Sequence, residues 1–257
     1  MATRASDGSR DANRYRSAQV GLTRLLVRDV RGLRRLIIPL RLRQSMPDWL
    51  AAMQAIVDQY SAASSALGAE FYDAQRDAAG VPGVFTAPVA DPPPEGKTEA
   101  SLRWATKDVW ERDPDEATEA QRQSLDVRLE QAEKKAEQVA QKLVADAGRS
   151  TVIEAVRQDR QATAWARTAA LGACAFCKLL ASRGSVFAQD TVGFRAHDGC
   201  HCGAIPVFRG QRFELSPQAA EWARLYQEYA AGHSGSQLAR FRRALAEHDL
   251  NPLPGSV

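Results

Sequence analysis

Residues 174–208 read CAFCKLLASRGSVFAQDTVGFRAHDGCHCGAIPVF. All four cysteines of the 257-residue chain, Cys174, Cys177, Cys200 and Cys202, fall inside this window, with two of its four histidines, His197 and His201. The pattern is C-x-x-C, a long spacer, then H-x-x-C-H-C. Two pairs of soft ligands from separate segments can close a tetrahedral shell around one zinc ion. Cys174 and Cys177 form one pair. The second comes from Cys200, Cys202 and His197, because C-x-C is tighter than the usual C-x-x-C and the histidine stands just before it. Such a set leaves no ligand position open, so a metal here would be structural rather than catalytic. One or two disulfides, or reduced thiols that pair on oxidation, fit the same residues. Residues 1–20 are polar and carry no apolar core segment, from which we expect folding in a reducing cytosol that disfavours disulfides. Val186–Phe187 and Ala204–Phe208 are β-type runs, which predicts a small hairpin or ribbon beside the cysteines.

Upstream of this window the chain reads as helix. Val20, Leu22, Leu25, Leu26, Val30, Leu33, Leu36 and Ile37 recur at helical spacing, so residues 12–44 form a helix pair or one kinked helix that Pro39 ends or bends. Pro47 opens a second helix at its first turn, with Trp49, Leu50, Met53, Ile56, Val57 and Tyr60 on one face, running to about Ala79. The Pro/Gly-rich stretch VPGVFTAPVADPPPEGK cannot hold regular helix and marks a boundary. A short helix carrying Leu102, Trp104 and Trp110 follows. Residues 114–147 are the clearest helix, with Asp113 as N-cap and Pro114 in the first turn. Gly148 breaks it, and Ser150 caps a further helix that delivers Cys174 and Cys177 near its end. Ser216-Pro217 opens a helix that Gly232 stops, and Leu238, Phe241 and Leu245 mark the last one.

The expected organisation is therefore a helical region with a basic arm (1–80), a Pro/Gly-rich linker (81–97), a long-helix region (98–170), the C-x-x-C…H-x-x-C-H-C module (171–210), and C-terminal helices with a tail (211–257). The fold class is mostly α, with long helices and a small Cys-rich, zinc-ribbon-like β element near the C-terminal third.

Apolar residues make up 44% and charged residues 25% of the chain, the balance of a globular protein. No apolar run is long enough to span a membrane. Charge is unevenly placed. Residues 1–45 hold eleven arginines against three aspartates, a net of +8, which leaves −5 for the remainder of a chain whose total is +3. An Arg-rich arm suits an acidic partner, either nonspecific DNA or an acidic protein surface. The same arginines also suit a solvated helix face between apolar anchors. Apart from Tyr15, between Arg14 and Arg16, no aromatic residue interleaves with them to read bases.

The stretch WARTAALGACAFCKLLASRG…FRAHDGCHCGAIPVF resembles a group of tailed-phage head proteins. These are the minor capsid proteins of actinobacterial phages, related to MuF-like head morphogenesis proteins and often labelled capsid maturation proteases. The shared features are C-x-F-C followed by LxSRG, a histidine shortly before a closing C-x-C, and PVF. The helical, Arg-rich opening YRSAQVGLTRLLVRDV is similar in style. The resemblance implies a virion protein of the phage head, assembled in the host cytoplasm beside the portal protein and the major capsid or scaffold protein. The protease label implies a nucleophile and a base. Ser182, Ser185 and His197 are the nearby candidates, but no nucleophile-elbow or H-E-x-x-H motif accompanies them. Three readings follow: a structural head protein, a protease that trims scaffold or coat, and a zinc-stabilised module that holds DNA through its basic arm.

Overall fold

The computed structural model describes residues 4–90, 93, 96–110, 115–188, 196 and 202–248. Along the chain these form β1 (Arg4–Ser6), α1 (Arg10–Gly32), α2 (Leu42–Ala79), α3 (Lys97–Ala105), α4 (Leu125–Gln158), β2 (Ala162–Thr168), α5 (Ala175–Ala181), β3 (Phe187–Ala188), β4 (Gly203–Phe208), β5 (Arg212–Glu214), α6 (Pro217–Tyr229) and α7 (Gln237–His248). The fold is mostly helical with a few short strands, as the sequence predicts. No helix among the described residues is long and apolar enough to cross a membrane.

Three long helices carry the architecture. Ser9 caps α1 by accepting a hydrogen bond from the Ala12 amide at 3.2 Å. Tyr15, Leu26 and Val30 then face inward. The chain reverses through short 3-10 helices at Leu33–Leu36 and Pro39–Arg41 and returns as α2. The proline break is where the sequence puts it, but α2 starts at Leu42 and takes Pro47 inside its second turn. A proline this close to a helix start removes little intrahelical bonding. Gly80, at φ 63°, ends α2 in the left-handed conformation that favours glycine.

Two sequence expectations fail at α4. The helix begins at Leu125, eleven residues after the expected start at 114, and it runs unbroken through Gly148 to Gln158. The proposed cap at Asp113 and Pro114 lies outside the described residues. Gly148 does not terminate the helix because it is a contact residue. A Cβ there would stand 2.6 Å from Ser64 Oγ and 2.8 Å from both the Ser64 carbonyl and Gln19 Nε2. A Cβ at Gly68 of α2 would stand 2.7 Å from the Gly148 carbonyl. The two glycines let the backbones of α2 and α4 approach beyond the reach of any side chain. Gln19 of α1 closes the crossing by donating to the Ser64 carbonyl at 3.3 Å and accepting from Ser64 Oγ at 3.1 Å.

The helix expected from Ser150 toward the cysteines ends at Gln158 as the last turns of α4, and the stretch after it is the strand β2. It runs antiparallel to β4 on one side and to β3 on the other, giving the order β3-β2-β4. Ala162–Thr168 holds three alanines, a lean toward helix that sheet pairing and burial override. Trp165 is fully buried and stacks on Phe187 at 4.3 Å. The anticipated β runs at 186–187 and 204–208 are both present, but they flank β2 rather than pairing as a hairpin or ribbon.

The chain on either side of residues 81–97 contributes to common cores. One cluster joins Leu26, Trp49 and Met53 to Leu102, Leu129 and Val144. Another joins Tyr15, Phe71 and Tyr72 to Val152, Trp165 and Phe208. Residues 81–90 lie against the helices, with Ala87 buried and its amide donating to Asp73 at 2.8 Å. Arg76 holds its start by donating to the carbonyls of Pro82 and Gly83 at 3.0 and 2.9 Å. The same guanidinium pairs with Asp159 at 2.9 Å, both side chains being buried. Tyr72 donates to that carboxylate at 3.1 Å, and burial, then Asp159, push its phenol well above the ordinary range.

The N-terminal segment is likewise built in. β1 pairs in parallel with β5, and Asp7 accepts from the Ser216 amide at 2.7 Å and its hydroxyl at 2.8 Å. Ser216 in turn caps α6, where the sequence places a helix start.

Two stability predictions follow from this geometry. Alanine is the better helix former by about 1 kcal/mol, so propensity alone favours Gly148→Ala. Overpacking against Ser64 opposes it by about 1–3 kcal/mol, and we expect urea denaturation to show net destabilisation. A gain in stability would mean that the crossing is loose. Asp159→Ala leaves Arg76 buried without its carboxylate and is expected to cost about 3–5 kcal/mol in the same measurement.

Candidate functional site

The cysteine module is assembled from the end of β2, the short helix α5 and the start of β4. Cys174 is the N-cap residue of α5, Cys177 lies on its first turn, and Cys202 immediately precedes β4. Cys177 and Cys202 belong to one buried cluster with Trp222, Leu225, Phe241 and Leu245 from α6 and α7, and the half-buried Cys174 packs against it. Among the described residues no group of three or more His, Cys, Asp or Glu side chains is gathered to hold a metal ion. Cys200 and His197, two of the expected ligands, lie outside the described residues, as does His201.

Buried cations surround this core, and sequence reading missed them. Arg149 of α4 donates through Nε to the Cys202 carbonyl at 2.7 Å and through Nη1 to Asp146 at 2.7 Å. Lys178, next to Cys177, is fully buried with its ammonium 5.2 Å from the centre of the Trp222 ring. Arg167 of β2 is buried and lies 5.9 Å from the centre of the Phe187 ring. Arg16 of α1 donates to Thr168 Oγ1 and to the Asp7 carbonyl. Burial lowers the Arg16 pKa, while Asp7 and Cys202 act in the opposite direction. The one signal that could have found these residues is a charge inside an otherwise apolar stretch, as in AWART and CAFCKLL.

Arg16, Arg149, Thr168 and Cys202 also line a cavity of about 30 Å³, together with Tyr15 and Gln19. That is room for water but not for a metabolite. Burial pushes the Tyr15 phenol up to about 12, partly offset by its hydrogen bond with Gln19 and by Arg149, so it is neutral at pH 7.

The protease candidates are placed less suggestively. Ser182 is the C-cap of α5, and its hydroxyl donates to the Leu179 carbonyl at 2.8 Å. Ser185 lies half-buried in the bend before β3, and His197 lies outside the described residues. The two described histidines are exposed: His233 is in the α6–α7 loop, and His248 stacks on Tyr229 at 4.6 Å at the end of α7.

No curated protein and no solved structure gives a significant match to the chain. A family model described as VG15 protein matches residues 7–229, from the turn before α1 to the last residue of α6, and so takes in the bundle, the sheet and the cysteine module together. With most of its length under that match, the chain belongs to the VG15 protein family, a family of phage or viral gene products.

Proposed function

We propose that the chain is a minor capsid protein of a tailed-phage head, acting in procapsid assembly at or near the portal and contacting the portal, coat or scaffold protein. The observation that carries this reading is the cysteine module. The described cysteines of the stretch on which the resemblance to phage head proteins rests, Cys174, Cys177 and Cys202, pack in or against one buried cluster, in a chain that belongs to a phage or viral family. The alternative, a capsid maturation protease, has less support from the described residues. Ser182 uses its hydroxyl to close a helix end.

We further propose that the module takes a structural zinc, held by Cys174 and Cys177 with two of Cys200, Cys202 and His197. The packing of Cys177 and Cys202 in one buried cluster, with the half-buried Cys174 against it, supports it. Zinc would supply a cross-link between α5 and the approach to β4, and no chemistry.

Elemental analysis of the protein purified under reducing conditions is expected to give about one zinc per chain, and chelation to lower the melting temperature. Four titratable thiols with no metal would remove the zinc. For the assembly reading, particles are formed with Ser182→Ala, Ser185→Ala, His197→Ala and Cys177→Ser variants, and their proteins are separated by electrophoresis. We expect intact coat and scaffold processing in the serine and histidine variants, and reduced incorporation of the Cys177→Ser chain. A serine variant that folds and incorporates yet abolishes cleavage would put the protease in place of the assembly role.

A further inference from the structure

The turn between α1 and α2 sits at the end of the bundle away from the cysteine module. Along α1 it lies about 25 Å beyond Arg16, at 1.5 Å per helical residue. Its sequence, LRRLIIPLRLR (33–43), alternates basic and apolar residues. Leu40 is 98% exposed and Ile38 is 49% exposed. Single exposed leucines are ordinary, but this one is held out by its surroundings. Ile37 is buried in the core on one side. Ser45 Oγ accepts from the Ile38 amide at 3.0 Å, and Pro39 starts the 3-10 turn that carries Leu40. The apolar side chain is thus presented on a braced backbone, so ordering it against a partner costs little further entropy.

Charge says what kind of partner fits. Arg31 and Arg34 pair with Glu137 and Glu133 on α4, so this basic ridge already packs against one acidic helix face. Arg35, Arg41 and Arg43 are exposed and make no ion pair among the described residues. Beside them lies an open groove of about 700 Å³, floored by Val109, Trp110 and Leu125. We infer that this turn is a docking surface for an acidic segment of a partner protein carrying an apolar side chain, the carboxylates meeting Arg35, Arg41 and Arg43 and the apolar group covering Leu40 beside the groove. A DNA backbone would satisfy the arginines but would set a fully exposed leucine against hydrated phosphates, which leaves its apolar surface uncovered. The inference deepens the assembly reading, on which it rests for the partner's place in the head, by naming the face that meets it.

The test uses the purified full chain and two labelled peptides of equal negative charge, one with two leucines one helical turn apart and one with serines in their place. Fluorescence anisotropy is expected to show the leucine peptide binding at least about tenfold more tightly, as burial of one leucine side chain implies. Leu40→Ser should abolish that preference without changing the melting temperature, since Leu40 contributes nothing to the core. Arg41→Glu with Arg43→Glu should weaken both peptides. Equal binding of the two peptides, an unchanged preference in Leu40→Ser, or a DNA duplex binding as tightly as the leucine peptide with no effect of Leu40→Ser would overturn the surface. Because no phage particle enters the assay, its failure leaves the assembly reading standing, and a failure of incorporation into heads leaves the peptide result intact.

Discussion

Helices α2 and α4 approach so closely at Gly68 and Gly148 that a methyl group on either glycine would lie within 2.7 Å of a neighbouring oxygen. Everything on the two sides of this crossing is set by it. Toward one end the helices and α1 enclose Trp49, Met53 and Leu129, and α3 contributes Leu102. Toward the other they hold Phe71, Tyr72 and Val156 against the inner face of β2 and β4. Because α4 stays straight through Gly148, Arg149 emerges one residue later at the position from which it bonds the Cys202 carbonyl. A helix broken at Gly148 would aim that guanidinium elsewhere and separate the cysteine module from the bundle.

Polar ties then fasten chain segments that are remote in sequence. Arg76 and Asp159 lock the ends of α2 and α4 together and also fix the start of the Pro/Gly-rich segment through its carbonyls. A buried pair of this sort adds little net stability against an apolar replacement, but it is costly to break and it specifies one arrangement. Asp7 performs the corresponding task for the termini, since one carboxylate receives both the amide and the hydroxyl of the residue that caps α6.

The arginines of residues 1–45 are divided by this architecture into different roles. Arg16 is drawn into the region around Cys202, Arg31 and Arg34 pair with the acidic face of α4, and Arg35, Arg41 and Arg43 remain on the outer turn. A stretch that reads in one dimension as a uniform basic arm is therefore part core, part internal electrostatics and part surface. Truncating it would remove β1, Tyr15, Leu26 and Val30 along with the charge.

Periodicity and punctuation made much of the fold legible in advance. The apolar repeat along α1 and α2, the end of α2 near Ala79, Ser216-Pro217 as a start and the β runs at 187 and 204–208 all rest on local chemistry that any context would respect. Spacing alone grouped Cys174, Cys177 and Cys202, and the three pack in or against one apolar cluster without forming a metal-holding group among the described residues. What local chemistry could not reveal was how two ambiguous signals would resolve. A glycine in a helical pattern can end a helix or admit a neighbour, and only the position of Ser64 and Gly68 on α2 decides for the second. An Ala-rich segment such as Ala162–Thr168 can coil or extend, and only edges offered by β3 and β4 on both sides make it a strand. The sequence by itself thus determined a helical phage-family chain with a cysteine-bearing core. The tertiary structure decided which charges are buried around that core and which remain outside, because burial depends on contacts between residues far apart in the chain.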